Sequence, residues 1–145
     1  MRFLFVVFLL GLFAGCSTTP VLKTSDTVQI IKNAADSAPD GVQGVYTFTI
    51  QATGSQRGDN RIFLNTEIDY RDQRNITIAL SFNAVKELIA ATQQSPEDYF
   101  KGKTIQVTGE AKRVKIHFTT MGRRTGKYYY QTHIKVTDAS QIMVV

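Results

Sequence analysis

One cysteine, two histidines and three prolines among 145 residues remove several kinds of chemistry. A lone Cys16 makes no internal disulfide, and no His, Asp or second Cys stands near it to form a metal site or an activated thiol. The Gly-x-Ser-x-Gly elbow, the His-Glu-x-x-His zinc motif and a phosphate-cradling glycine loop are missing. His117 and His133 fall on outward phases of two late strands that could be neighbours, but two histidines without a third ligand make a weak metal case. Asp59, Glu67, Asp69 and Asp72 cluster and are read as turn chemistry rather than a hard-cation site. The chain is expected to bind rather than react, with no cofactor and no metal.

Long apolar runs are equally scarce. The run from Phe3 to Ala14, behind Met1-Arg2, is too short for a hydrocarbon core of about 30 Å and has the length of an export-signal h-region. Ala14-Gly15 then supplies small residues before Cys16. This segment resembles the lipobox of bacterial lipoproteins, in which cleavage precedes a cysteine that receives lipid; Phe13 departs from the Leu, Val or Ile usual there. The resemblance implies residues 1–15 as a signal peptide, lipidation of Cys16, and attachment to a membrane by acyl chains that each contribute about 0.8 kcal/mol per buried CH₂. Ser17, in place of an inner-membrane retention Asp, implies the outer membrane, in the periplasmic or the surface leaflet. An ordinary secretory signal is the alternative. Without residues 1–15 the chain has 16 basic and 12 acidic residues, a formal +4. It is expected to be monomeric, with no second membrane segment after Cys16.

Residues 16–43 read as a lipidated tether with one short helix, from about 26 to 37, on which Val28, Ile31, Ala34 and Ala35 share a face behind the possible caps Ser25 and Asp26. From Val45 the period changes to two. Tyr46, Phe48 and Ile50 mark one strand, Ile62, Leu64, Thr66 and Ile68 a second, and Ile76, Ile78 and Leu80 a third. A helical segment over 83–100 follows, with Val85, Leu88, Ile89 and Thr92 on one face, capped by Ser81 or Asn83; Ser95-Pro96 starts its last turn. The fourth strand is placed at Thr104–Phe118. Ile105 and Val107 are in phase there, Gly109 could seat a bulge or bend, and Val114, Ile116 and Phe118 come next. A loop holding Gly122 and Gly126 leads to a fifth strand at Tyr128–Val136.

The order β-β-β-α-β-β over 44–145 is that of the OB-fold, an all-β, five-stranded Greek-key barrel with one plug helix. Gly102, Lys103, Ile105, Val107 and Gly109, followed by Asp138, Ser140, Gln141 and Ile142, also resemble the last two strands of bacterial OB-fold domains of the tRNA-anticodon-like kind. OB-folds commonly bind on the outer face of strands two and three. With Ile62 and Leu64 inward, Arg61, Phe63 and Asn65 point outward, joined by Asn75, Thr77 and Ala79. Phe63 either stacks a ligand ring or lies under the N-terminal helix or a loop.

Charge is uneven. Residues 101–135 hold nine Lys and Arg against Glu110 alone, a net +8. Arg123, Arg124 and Lys127 are assigned to the loop between strands four and five, Arg57 to the loop between strands one and two on the same rim, and Tyr129 to the outer phase. Basic residues interleaved with aromatics suit an anionic ligand: an acidic glycan, a lipid headgroup or, less readily outside the cytoplasm, nucleic acid. The plain alternative is a solvated hairpin whose lysines protect a sheet edge. The function expected is anionic-ligand binding by an envelope lipoprotein using Arg57, Arg61, Phe63, Arg123, Arg124, Lys127 and Tyr129. The alternative function is docking of another envelope protein through a sheet edge or apolar face.

Overall fold

The computed structural model describes residues 22–56 and 58–145. The expected signal peptide over residues 1–15, Cys16 and Arg57 lie outside the described residues. A short strand β1 (Leu22–Thr24) runs parallel to β2 (Val42–Thr49). Between them is α1 (Thr27–Asp36), whose N-cap Asp26 accepts a hydrogen bond from the Gln29 amide. Ile30 and Ala34, one turn apart, are the residues α1 buries, while Val28 is 63% exposed. The helical face is therefore rotated from the expected one, because Ile30 and Ile31 are adjacent and the packing against β6 selects Ile30 as the inward one.

The barrel begins with β2 and continues through Ile50 and Gln51 into β3 (Ala52–Gln56). These are two halves of one bent strand. The Ile50 amide donates to the Lys103 carbonyl at 2.9 Å and the next amide, that of Gln51, donates to Asn65 at 2.9 Å, so the chain changes partners at this corner. β4 (Arg61–Asn65) pairs antiparallel with β3 and with β5 (Ile76–Leu80). β5 lies parallel to β7 (Arg123–Val136), β7 antiparallel to β6 (Thr104–Thr120), and β6 antiparallel to β2. With β2 and β3 counted as one strand, the pairing closes in the order 1-2-3-5-4-1. That is the OB-fold barrel.

The plug is two helices rather than one. α2 (Phe82–Thr92) is capped by Ser81 and stops where Gln93 adopts the left-handed φ of 57°. α3 (Pro96–Phe100) starts at the Ser95 cap. Val85, Leu88 and Phe100 enter the core beside Tyr46, Leu64, Ile78, Ile105, Val107 and Ile134, whereas Ile89 is exposed. A 3₁₀ turn (Ala139–Gln141), held by an Asp138–Gln141 capping box, leads to β8 (Ile142–Val144), which pairs β6. Among the described residues no helix is long and apolar enough to cross a membrane.

Three strand expectations change. The second strand ends at Asn65, so Ile68 falls in the following loop, 80% exposed. Gly109 makes no bulge: it pairs with Gly44 in unbroken register, and Val114, Ile116 and Phe118 consequently keep the outward phase of β6. The β6–β7 connection is also tighter than expected. Met121 (φ 51°) and Gly122 (φ 76°) make a two-residue turn of the I′ kind, and Arg123, Arg124 and Lys127 belong to β7, not to a loop.

Candidate functional site on the outer barrel face

Alternation along β4, β5, β7 and β6 brings Phe63, Thr77, Tyr129, Gln131, His133 and Ile116 to one outer face. With Gly54, Asn65 and Tyr70 they line an open groove of about 550 Å³. Phe63 is half-buried in its wall, and the Arg61 guanidinium carbon lies 5.9 Å from its ring centroid. An adjoining groove of about 770 Å³ takes in Arg61, Lys112, Val114 and Lys135 and shares His133.

The groove floor is a buried amide network. Asn75 Nδ2 donates to Asn65 Oδ1 (3.1 Å), Thr77 Oγ1 (3.0 Å) and the Tyr70 carbonyl (3.2 Å), and Asn75 Oδ1 accepts from the Glu67 amide (3.1 Å). Asn65 and Thr77, though in the outward phase, are buried because Asn75 ties the β4–β5 loop down over them. Above this floor Gln131 Nε2 donates to the Tyr70 carbonyl (3.1 Å) and to the Tyr129 hydroxyl (3.0 Å). A carbonyl only accepts, so Gln131 Oε1 is left facing His133 Nε2 at 2.8 Å. His133 therefore carries its proton on Nε2. Burial, then the charge of Arg61, pulls the His133 pKa down to about 4, so the imidazole is neutral at pH 7 and Nδ1 is its acceptor. Burial likewise raises the Tyr129 pKa, keeping the phenol protonated. The groove thus presents aromatic faces, amides and a neutral imidazole.

Charge is handled by a repeated local device. In Asp59-Asn60-Arg61, Asp69-Tyr70-Arg71 and Asp72-Gln73-Arg74 the Asp carboxylate accepts from the Arg amide two residues on, at 3.3, 2.9 and 2.8 Å, and pairs with the same guanidinium. Arg74 holds the Asp72 carboxyl down at about 2. These acids do turn chemistry, and among the described residues no cluster suits a metal ion. Arg61 is accordingly a neutralised cation, further fixed by Gln56 at 3.1 Å. None of the nine Lys and Arg of residues 101–135 pairs with a carboxylate among the described residues.

The predicted site residues separate into two places. Phe63 and Tyr129 share the groove and Arg61 lies next to it; Arg123, Arg124 and Lys127 are exposed near the far end of the hairpin and line neither groove. His117 and His133 are not neighbours: His133 is paired with Lys112, and His117, on the opposite face, with Tyr128. That opposite face carries an arrangement the sequence reading missed. Arg113 Cζ and Lys115 Nζ lie 4.5 Å from the ring centroids of Tyr130 and Tyr128, and the two rings meet edge to face at 5.6 Å. The run Tyr128-Tyr129-Tyr130 beside Lys112-Arg113-Val114-Lys115 is its signal, since alternation sends the outer two tyrosines to one side and the middle one to the other.

The chain matches no protein family and no curated protein. Among solved structures it is similar to an aspartyl tRNA synthetase from Entamoeba histolytica, at 16% identity and a TM-score of 0.48 over 96% of this chain and 24% of that one. It is also similar to a small single-stranded DNA-binding protein from Streptomyces coelicolor, at 13% identity and a TM-score of 0.39 over 72% of this chain and 94% of that one. This chain spans about a quarter of the length of the synthetase. The barrel assignment rests on the strand pairing.

Proposed function

We propose that this protein is a non-catalytic, lipid-anchored binding protein of the cell envelope that holds an anionic ligand on its basic β6–β7 hairpin. The observation that carries this reading is the contrast in charge pairing. Arg61, Arg71 and Arg74 each have an Asp two residues away, whereas the nine cations of residues 101–135 have no carboxylate partner among the described residues. Positive charge without an internal partner, carried along the β6–β7 hairpin by Lys112, Arg113, Lys115, Arg123, Arg124 and Lys127, favours an anion from outside the molecule. The ligand classes that fit are an acidic glycan, a lipid headgroup or a nucleic acid. Envelope placement is supported by the lipobox-like segment ending at Cys16.

The test uses the full chain and a soluble polyanion such as polyphosphate. Affinity is expected to fall steeply between about 50 and 200 mM salt, and Arg123→Gln, Arg124→Gln and Lys127→Gln together to flatten that dependence. Binding indifferent to both changes overturns the reading. Cys16→Ser is expected to abolish lipid attachment and membrane fractionation; unchanged fractionation overturns the anchor.

The neutral groove favours a second reading, docking of another envelope protein. Its walls, Phe63, Tyr70, Ile116 and Tyr129, are apolar or aromatic, and Arg61 beside it is already paired. A partner seated there would bind with little response to salt and would be lost with Phe63→Ala.

A further inference from the structure

We infer that the end of the β6–β7 hairpin engages the surface of an anionic lipid bilayer, with Met121 entering the interfacial region while Arg123, Arg124 and Lys127 meet lipid phosphates. This narrows the anion-binding reading above and rests on it.

A two-residue I′ turn asks for positive φ at both central positions, which Asn, Asp and Gly adopt most readily. Gly122 meets that demand, but Met121 does not: a long apolar side chain is held at φ 51° and is 99% exposed. It pays a conformational cost and buries nothing within the molecule. A residue that local geometry disfavours and the core does not use points to a contact outside the molecule.

The hairpin also orders its chemistry along its length. Beyond His117 and Tyr128 its strands pair only with each other, so this end stands clear of the barrel. The apolar side chain is outermost, the unpaired cations follow, and the half-exposed rings of Tyr128 and Tyr130 come next. At a bilayer the apolar tip enters the interfacial region and the cations just behind it reach the phosphates. Anionic leaflets attract such clusters. A single-stranded nucleic acid is served less well, since stacking needs open ring faces. Lys115 and Arg113 already lie over those of Tyr128 and Tyr130.

The chain contains no tryptophan, so Met121→Trp places a single reporter at the tip and Ile68→Trp, on the exposed β4–β5 loop, a remote control. The full chain is incorporated into phosphatidylcholine vesicles with or without phosphatidylglycerol. The tip reporter is expected to shift to the blue and to be quenched by brominated acyl chains only where phosphatidylglycerol is present. The shift should be lost with Arg123→Gln, Arg124→Gln and Lys127→Gln, and the loop reporter should stay water-like throughout. A tip reporter that stays water-like in anionic vesicles, or moves equally in neutral ones, overturns the proposal. If it stays water-like while polyphosphate or an oligonucleotide still binds in a salt-dependent way, the lipid proposal fails and the anion-binding reading stands. If nothing anionic binds, both fail.

Discussion

The Asn75 carboxamide lies within hydrogen-bond distance of five polar groups, more than its two N–H hydrogens and two lone pairs need, and so links β4, β5 and the loop between them. Truncating it leaves Asn65 and Thr77 buried with fewer partners, so Asn75→Ala is expected to lower stability by about 2–3 kcal/mol, read from the denaturant midpoint at constant m value. His133 gives the stability a pH dependence of known sign. Its folded pKa of about 4 lies below the unfolded value of 6.5, so the unfolded state binds more protons between them. Stability is full above pH 6.5 and falls by up to about 3 kcal/mol toward pH 4, a decline that His133→Gln should flatten in urea titrations. At Met121 the expectation is reversed: Met121→Asn should raise the melting temperature, by an amount equivalent to about 0.5–1 kcal/mol, because Asn tolerates the left-handed region better. Legibility at this scale varied. The turn role of the acids was readable because Asp before a charged turn has few other uses, and the structure adds the pairing with Arg two residues on. The reach of Asn75 was not, because an Asn before a strand reads as an ordinary turn residue until the loop it anchors is seen.

Among the elements, the period-two runs located β2, β4 and β5, and the Ser81-or-Asn83 and Ser95 caps marked where the plug begins and where its last turn starts, although not the break at Gln93 that divides it into two helices. Phase was harder. The sequence permits a bulge at Gly109. A strand alternates whatever its residues are, and no irregularity lies between Val107 and Ile116, so the apolar Val114 and Ile116 line the outside; the register shift comes further out, between His117 and Thr119. The facing glycines serve a different need. A Cβ on Gly44 would sit 2.5 Å from the Tyr46 ring and 2.8 Å from the Leu22 carbonyl, and one on Gly109 3.0 Å from Ile134. Gly44→Ala is therefore expected to destabilise by about 1–3 kcal/mol, whereas Gly54→Ala, which meets nothing within 4 Å, should unfold at an unchanged denaturant concentration. Phe100→Ala, which empties the plug of a side chain only 1% exposed, should cost about 3–5 kcal/mol.

For the molecule as a whole, the barrel and its connectivity were legible from element order, since three strands, a helical segment and two strands admit few compact closures. The arrangement of the candidate site was not. Composition placed the positive charge correctly in residues 101–135, but the tight Met121–Gly122 turn carries Arg123 and Arg124 away from Phe63, and only the register reveals that. The molecule thus has two separate surfaces: an aromatic groove on the barrel wall and a cationic end on the hairpin. A ligand spanning both would lose affinity with either Phe63→Ala or the triple Gln substitution, and the two losses would be coupled in a double-mutant cycle. Independent losses would mean two ligands.

Because strand pairing in the outermost stretch of the hairpin involves no third strand, its residues contribute nothing to closing the barrel. The proposed ligand-binding end is thereby uncoupled from barrel closure. Exchanging the segment 119–125 for another hairpin end of equal length would change the surface the domain presents while the barrel stays closed, with the thermal transition moved only by how well the new turn residues fit the positive φ of Met121 and Gly122, so this part of the chain is free to diversify at little risk to the scaffold that carries it.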